Sequence, residues 1–299
     1  MEYKRELSIK YYIECIDKKL NEFLQMSQPE TLFKSMRYTV LLPGKRLRPV
    51  MCLETCRMLG GDYEKAIPTA CAVEMLHAQT LIHDDLPCMD NDDFRRGKPS
   101  NHKVFGEAAA VLAGDALLTY APQIILKYSN TISDEVKLKI MEEYFQYAGA
   151  YGVIAGQTID IESERGQISE DADKVLEYIH LHKTADLFKL SIRTGSLIAN
   201  ADEKRLNVMT EFAQKLGLAF QIADDVLDVI SDFKELGKTP GKDKDTGKLT
   251  YVSLYGTDKA IRKISCLFEQ CYDILRKQDI KSNVFDKIIQ DIQNRVRLL

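Results

Sequence analysis

Apolar residues recur at the spacing of an α-helix along most of the chain. The first example runs over residues 3–26, where the helical positions are Leu7, Tyr11, Ile13, Ile16, Leu20 and Leu24. Ser133 and Ser169 precede two further helical stretches and are predicted to cap them. We find no convincing alternating strand pattern and no hairpin signal between strands. The pattern therefore predicts an all-α protein with about ten or more helices.

Loops are few, and no linker divides the chain. Only 8 prolines and 16 glycines occur in 299 residues, without an internal repeat or a low-complexity segment. Three loops stand out, at residues 42–49, 81–97 and 234–250, and the last is rich in glycine and lysine. We expect residues 1–299 to form a single domain in which this third loop is mobile.

The composition does not alter the predicted fold, but it argues against several classes of function. The chain is 45% hydrophobic and 29% charged, with a net charge of -4 and a pI near 5.8, which argues against a general nucleic-acid binder. No apolar run approaches the roughly 20 residues that span a bilayer, and the charged N-terminus is unlike a secretory signal. We therefore expect a cytoplasmic protein without a stable membrane anchor. The seven cysteines lack the spacing of zinc or redox sites, which favours reduced thiols.

Five aspartates crowd residues 81–97, directly after an apolar run. Such crowding is costly because each carboxylate raises the pKa of its neighbours. Pro87 predicts that the preceding helix ends or bends near these acids, and a helix C-terminus disfavours negative charge. A cation is therefore expected there. The five are Asp84, Asp85, Asp90, Asp92 and Asp93, and the helix face leading to them is His77, Thr80, Leu81 and Asp84.

A second acidic face lies about 140 residues further on. The residues at relative positions 0, 3, 4 and 7 of one helical stretch are Gln221, Asp224, Asp225 and Asp228. Apolar residues lie between them, so the helix can be buried while it shows carboxylates to a cavity. One such cluster alone is more often a solvated face, but two with similar spacing favour hard divalent cations. Mg²⁺ fits best, because it prefers oxygen ligands and is usually shared with substrate phosphates. An EF-hand and a zinc site both fail on their residue patterns.

Basic residues accompany both acidic faces. Taken singly, each is more often a surface charge, but together they suggest a polyanionic substrate, since Arg and Lys both bind phosphate oxygens. With an apolar helical interior, the substrate predicted is a diphosphate that carries a hydrocarbon tail. The basic residues are Lys45, Arg46, Arg48, Arg95, Arg96, Lys183, Lys238, Lys242, Lys244 and Lys248.

Six motifs of the chain, in this order, resemble the trans-isoprenyl diphosphate synthases. The similarity is to the short-chain farnesyl/geranylgeranyl diphosphate synthase family, which includes the bacterial geranyltranstransferases, and it covers nearly the whole chain. It implies an all-helical isoprenoid synthase bundle around a deep central cavity, and usually a homodimer. The motifs are GKRLRP (44–49), EMLHAQTLIHDDLPCMDNDDFRRGKPSNH (74–102), GEAAAVLAGDALL (106–118), HKTADLF (182–188), FQIADDVLDV (220–229) and LGKTPGKD (236–243).

The resemblance also implies a role for each motif residue. About three Mg²⁺ ions would be held by Asp84, Asp85, Asp90, Asp224, Asp225 and Asp228. The allylic diphosphate would contact Arg95, Lys183, Thr184, Gln221 and Lys238. Isopentenyl diphosphate would contact Gly44, Lys45, Arg48, His77 and Arg96. Catalysis would rest chiefly on Asp84, Asp85, Asp90, Asp224 and Lys183. His83, His180 and His182 are expected in structural or surface positions.

The implied reaction is a head-to-tail condensation of isopentenyl diphosphate with C5 and C10 allylic diphosphates. It gives mainly farnesyl diphosphate and releases diphosphate. Water must be excluded from the reacting cation, and the loop at 234–250 is a candidate lid. Alternatives are a geranylgeranyl diphosphate synthase, a class I terpene cyclase and a non-catalytic partner subunit. The C15 product is the open point, because Gln79 stands where bacterial farnesyl synthases often have an aromatic floor.

Overall fold

The computed structural model describes residues 7–168, 171–230 and 248–297, and these segments are helical almost throughout. The predicted all-α class is confirmed. A 3₁₀ turn (Tyr63–Ala66) and a π-helix (His180–Ala185) join neighbouring helices. The α-helices are α1 (Ile9–Phe23), α2 (Glu30–Val40), α3 (Leu47–Met58), α4 (Ile67–Asp84), α5 (Asn101–Phe105), α6 (Glu107–Tyr128), α7 (Asp134–Ala148), α8 (Val153–Glu164), α9 (Ala172–Ile179), α10 (Asp186–Ile198), α11 (Glu203–Ile230), α12 (Tyr251–Tyr255), α13 (Thr257–Lys277) and α14 (Asn283–Arg297).

Side-chain caps fix where several helices begin. The Ser133 hydroxyl accepts a hydrogen bond from the Val136 amide at the start of α7, as predicted. Ser169 lies outside the described residues, and Asp171 is the cap of α9. Thr250 and Ser253 form a reciprocal capping box at the start of α12. This last cap fixes the chain direction immediately after the described segment resumes at residue 248.

Helix α4 lies at the centre of the molecule, which explains its nearly continuous apolar sequence. It packs against α1, α3, α6 and α10, and one connected core of buried apolar side chains extends from α1 to α14. Two glycines allow close helix packing: a Cβ on Gly114 would lie 2.0 Å from His83 Nε2, and one on Gly195 would lie 2.4 Å from the Cys52 carbonyl oxygen. All seven cysteines are free thiols, and four of them are buried, as the composition suggested.

A small hairpin within the first acidic segment was not predicted. Strand β1 (Phe94–Arg95) pairs antiparallel with β2 (Lys98–Pro99). Arg96 and Gly97 make the turn with φ of 54° and 72°, the conformation that two-residue hairpin loops require. With strands of only two residues, no alternating pattern was available to reveal the hairpin. The turn separates the two neighbouring arginines and sends their side chains to different sites.

The expectation that no segment is apolar enough to span a bilayer is corrected by α6. By length and composition alone this helix could cross a membrane, and 44% of its most apolar window is buried inside the protein. Its buried face packs against α4 and α2. Burial in a protein core accounts for that part of its apolar character, and the test does not separate a core helix from a membrane span.

Candidate active site

A cavity of about 330 Å³ lies between the two predicted acidic faces. Its walls come from α4, α8, the π-helix, α11 and residues 248–250. Apolar side chains such as Leu81, Val153 and Leu187 line one part, and charged side chains line another. The cavity brings together these predicted residues: Arg48, His77, Asp84, Asp90, Arg95, Lys183, Thr184, Gln221, Asp224, Asp225 and Asp228.

The first acidic face is placed by the end of α4. Asp84 is the last helical residue, and His77, Thr80 and Leu81 line the cavity below it, as the helical spacing predicted. The Asp90 amide donates a 2.8 Å hydrogen bond to the Asp84 carbonyl, which returns the loop to the helix end. Burial raises the pKa of Asp84, and the charge of Asp90 contributes in the same direction. The site therefore favours added positive charge.

Asp85 occupies a different position from Asp84. It is 2% exposed, and its Oδ1 accepts two hydrogen bonds from the Arg95 guanidinium, at 2.9 Å from Nε and at a shorter distance from Nη2. Arg95 also contacts Asp92 at 3.2 Å. Burial raises the pKa of Asp85 to about 6, although Arg95 acts in the opposite direction. In this structure Asp85 orients Arg95, which itself lines the cavity, and its place among the metal ligands stays a prediction.

The second acidic face is the cavity side of α11. Gln221, Asp224, Asp225 and Asp228 all line the cavity, which confirms that they share one helix face. Both oxygens of Asp225 accept hydrogen bonds from the protein, one from the Gln221 amide group and one from the Tyr251 backbone amide. Asp225 therefore has a protein donor on each oxygen, and its place among the metal ligands stays a prediction.

Two lysines converge on an aspartate that sequence reasoning missed. Asp160 on α8 is 1% exposed, and its Oδ2 lies 2.5 Å from Lys183 Nζ and 3.3 Å from Lys248 Nζ. Although burial opposes it, these two ammonium groups hold the pKa of Asp160 below its usual value. Lys248 also lies 3.2 Å from Glu164 and 3.9 Å from Asp90. The cations on this wall therefore balance two acids of α8 and one acid of the loop that follows α4.

Gln157, one helical turn before Asp160, was missed as well. Among the described residues, neither atom of its side-chain amide has a hydrogen-bond partner, although both are buried at the cavity wall. Buried amides without partners are unfavourable, so this group is suited to a ligand. The available signal was the spacing of three between Gln157 and Asp160, which places both on one face of a helix.

The π-helix presents Lys183 and Thr184 to the cavity. A Cβ on Gly156 of α8 would lie 2.2 Å from the Lys183 backbone nitrogen, so glycine permits this close approach. The wider turn of a π-helix is a feature that often occurs at functional sites. The Thr184 hydroxyl donates a 2.5 Å hydrogen bond to Gln221, which joins the π-helix to α11. Lys238, the fifth expected contact of the allylic diphosphate, lies outside the described residues, as does most of the candidate lid.

A second cavity, of about 230 Å³, contains all five residues expected to bind isopentenyl diphosphate. Arg48, His77 and Phe220 line both cavities and therefore mark where the two meet. Gly44 lets the Arg96 side chain approach closely, since a Cβ at residue 44 would lie 2.8 Å from the Arg96 guanidinium carbon and would displace that side chain. The five are Gly44, Lys45, Arg48, His77 and Arg96.

The second cavity rests on a buried acid, Glu74. Its Oε1 accepts hydrogen bonds from Arg46 at 2.7 Å and from Arg96 at 3.4 Å. Arg46 is fully engaged, since it also binds Asp17 and a backbone carbonyl. Glu74 thus neutralises Arg46 and positions Arg96, which makes Arg46 a support for the site.

Burial and nearby positive charges disfavour protonation of His77. Burial, with the nearby Arg48 and Arg96, holds the pKa of His77 well below its usual value. Its Nε2 lies 3.4 Å from Arg48 Nη1, and its Nδ1 is buried without a partner among the described residues. Burial also lowers the pKa of Arg48 to about 10. A neutral ring with an unpaired nitrogen is suited to a ligand contact at the junction of the cavities.

The other histidines differ in position. His83 bonds to the Val111 carbonyl of α6, and His182 to Asp186 at the start of α10, so both have the structural places expected. His180 is the exception, because it lines the first cavity and its Nε2 lies 3.3 Å from Asp225 Oδ2.

Comparisons with known proteins agree with this geometry. The family model described as polyprenyl synthetase matches residues 29–292. A geranylgeranyl diphosphate synthase from Cyanophora paradoxa is 42% identical over 282 residues, which cover 94% of this chain and 93% of that protein. A farnesyl diphosphate synthase from Geobacillus stearothermophilus is 42% identical over 281 residues, which cover 92% and 94%.

Comparison with solved structures points to the same class of protein. The solved structure of an FPP/GFPP synthase from Zymomonas mobilis superposes with a TM-score of 0.85 at 32% identity, and the match covers 95% of this chain and 97% of that one. Two neighbouring cavities lined by basic and acidic side chains, within an all-α bundle, agree with the prenyltransferase class of these relatives. The chain belongs to the polyprenyl synthetase family.

Proposed function

We propose that the protein condenses isopentenyl diphosphate with C5 and C10 allylic diphosphates, head to tail, and releases farnesyl diphosphate as its main product. The observation that carries the proposal is the pair of cavities joined at Arg48, His77 and Phe220. Each cavity has its own cationic side chains, so the geometry suits two diphosphates bound side by side. A class I terpene cyclase needs only one such site, which makes it the weaker candidate.

The donor chemistry of the first cavity fits Mg²⁺. Asp84, Asp90, Asp224 and Asp228 line it from two facing walls, and hard cations prefer such oxygen ligands. Within the described part of the chain, no three side chains converge into a preformed ion site. That arrangement suits ions held partly by water and by substrate phosphates. We propose these four aspartates as the ligands of about three Mg²⁺, with Asp85 and Asp225 in supporting roles.

The chain's own residues then perform the condensation. Lys183 and Arg95 bind the allylic diphosphate and stabilise the charge that develops as its C1–O bond breaks. Mg²⁺ bound there would add Lewis-acid stabilisation of the same leaving group. Arg48, Arg96 and His77 hold isopentenyl diphosphate so that its double bond faces the allylic cation. Carbon–carbon bond formation is followed by loss of one proton, which the released diphosphate accepts.

The hydrocarbon tail occupies the apolar part of the first cavity. Leu81, Val153 and Leu187 lie there and exclude water from the allylic cation. The relatives include both farnesyl and geranylgeranyl diphosphate synthases, so identity alone does not select a product. We propose the C15 product as the main one, with geranylgeranyl diphosphate as the second candidate because residue 79 is not aromatic.

We further propose a homodimer, formed through consecutive helices α6, α7 and α8. Large apolar side chains are exposed there, and extended apolar surface of this kind marks interfaces. They include Val111, Leu112, Leu126, Leu138, Phe145 and Ile154, with Tyr151 in the connection between α7 and α8. This proposal is independent of the product assignment.

A product assay tests the reaction. Purified protein would be incubated with Mg²⁺, isopentenyl diphosphate and, separately, C5, C10 and C15 allylic diphosphates, and chain length would be read after dephosphorylation. Extension that stops at C15 supports the proposal. Efficient extension of the C15 substrate identifies a geranylgeranyl diphosphate synthase. Cyclised products, or no condensation, reject the proposal in favour of a cyclase or a non-catalytic subunit.

A further inference from the structure

The Asp225 carboxylate joins three separate parts of the chain. Its Oδ1 accepts a 2.8 Å hydrogen bond from Gln221 Nε2, and its Oδ2 accepts one of 2.8 Å from the Tyr251 backbone amide. His180 Nε2 lies 3.3 Å from the same Oδ2. Gln221 in turn accepts the hydroxyl hydrogen bond of Thr184. We call these five residues the Asp225 network, and four of them line the first cavity.

Two of the segments joined in this way carry the lysines of the opposite wall. His180 and Thr184 belong to the π-helix that presents Lys183. Tyr251 is the first residue of α12 and follows Lys248 by three positions. The two lysine side chains meet at Asp160 Oδ2, at 2.5 and 3.3 Å. The segments that carry Lys183 and Lys248 therefore both contact α11 through the Asp225 network.

We propose that Asp225 is a positioning residue that sets Lys183 and Lys248 relative to Asp224 and Asp228, and that it does so by hydrogen bonding and not by metal ligation. The two oxygens of a carboxylate can accept from several donors at once, and those of Asp225 accept from the Gln221 amide group and the Tyr251 backbone amide while His180 lies 3.3 Å away. The Tyr251 amide lies in the first turn of a helix, where it has no acceptor within the helix. Asp225 supplies that acceptor. The inference rests on the proposed function for its effect on substrate.

Substitution of Asp225 by asparagine distinguishes a hydrogen-bonding role from a metal-binding role. Its carbonyl oxygen can still accept from the Tyr251 amide, while its NH₂ group faces Gln221. Rotation of the Gln221 amide presents Oε1 to that NH₂ group, and the Thr184 hydroxyl then accepts from Nε2. Asp225→Asn therefore preserves the network and removes the charge. Asp225→Ala removes both the network and the charge.

The test combines hydrogen exchange with kinetics on the full-length protein. Amide exchange, followed by mass spectrometry in the peptide that contains Tyr251, would be measured without metal or substrate for Asp225→Ala, Asp225→Asn and the matched control Asp224→Asn. We expect Asp225→Ala to speed exchange of the Tyr251 amide by about 10-fold or more, and the two asparagine variants to stay within about 3-fold of wild type. In steady state, Asp225→Ala should raise KM for the allylic diphosphate by about 10-fold, and Asp225→Asn should recover most of that loss.

Two results would overturn the inference. Unchanged exchange in Asp225→Ala would mean that the carboxylate does not anchor α12. Normal exchange in Asp225→Asn together with a rate as low as that of Asp224→Asn would mean that the charge is required, as for a metal ligand. Failure of the proposed function would appear differently, as a wild-type protein without condensation activity, and the exchange comparison would still decide whether Asp225 anchors the segment.

Discussion

The side-chain amide of Gln79 donates a 3.1 Å hydrogen bond to His83 Nδ1, one turn further along α4. The direction follows from the other ring nitrogen, because Nε2 lies 3.1 Å from the Val111 carbonyl, which can only accept. Gln79 is 7% exposed, and its partner His83 contacts α6. The next residue, Thr80, lines the first cavity. Gln79 therefore lies beside the cavity without closing it.

An aromatic residue at this position is expected to shorten the product. Gln79→Phe or Gln79→Tyr places a ring, bulkier than the amide, beside the cavity wall at Thr80, and we expect it to narrow the space for the hydrocarbon tail. Any C20 fraction should move towards C15, which chromatography of the dephosphorylated products would show. Gln79→Met is the control of similar length without a ring. An unchanged product distribution in the aromatic variants would refute the role of residue 79 as a floor.

Removal of the first aspartate of either acidic face, Asp84 or Asp224, is expected to abolish most turnover. Asp84→Ala or Asp224→Ala should lower kcat by about 100-fold or more, because electrostatic stabilisation of the leaving group is the main catalytic contribution. Asp134→Ala, on the outer end of α7, is the matched control and should retain wild-type rates, since the Asp134 side chain is 93% exposed. Near-normal rates in both cavity variants would contradict the metal assignment.

The helical faces were predictable because they depend on local geometry. The spacing in α4 and α11 was sufficient to place Asp84 and Asp224 on cavity walls, and the five residues of the second cavity followed from the family resemblance. Both kinds of prediction use only positions along one helix or within one motif. They do not say which partner each side chain takes.

Partners across helices were not predictable in the same way. The pairing of Asp85 with Arg95 depends on a hairpin whose turn residue Arg96 has a positive φ, which the sequence pattern does not indicate. Asp160 acquires its role only because α8 packs against the π-helix at Gly156. Helical periodicity carries no information on such tertiary contacts.

Glu74 is expected to be important for stability as well as for the site. Its removal in Glu74→Ala leaves Arg46 buried beside an empty position, and loss of one partner of a buried ion pair costs about 3–5 kcal/mol. The free energy of unfolding would be measured by urea denaturation. Glu135→Ala removes an exposed helical pair with Lys139 and should leave the free energy of unfolding nearly unchanged. Similar losses in the two variants would contradict the structural role of Glu74.

Charge on the exposed face of α7 should dissociate the proposed dimer. Leu138 and Phe145 are seven residues apart and are 70% and 60% exposed. Leu138→Glu/Phe145→Glu is expected to halve the molar mass measured by light scattering after size exclusion. Met26→Glu, an exposed apolar position between α1 and α2, should leave the mass unchanged. A wild-type protein that is monomeric at micromolar concentration would reject the dimer.

Substitutions in the two cavities should affect different substrates. Arg96→Gln removes a guanidinium from the second cavity, so KM for isopentenyl diphosphate should rise by about 10- to 100-fold with little change for the allylic substrate. Lys183→Gln removes an ammonium from the first cavity and should show the opposite preference. Initial rates with one substrate saturating and the other varied would provide both constants. If each variant raised both KM values equally, the cavities could not be two separate diphosphate sites, and the proposal that the second cavity binds isopentenyl diphosphate would fail.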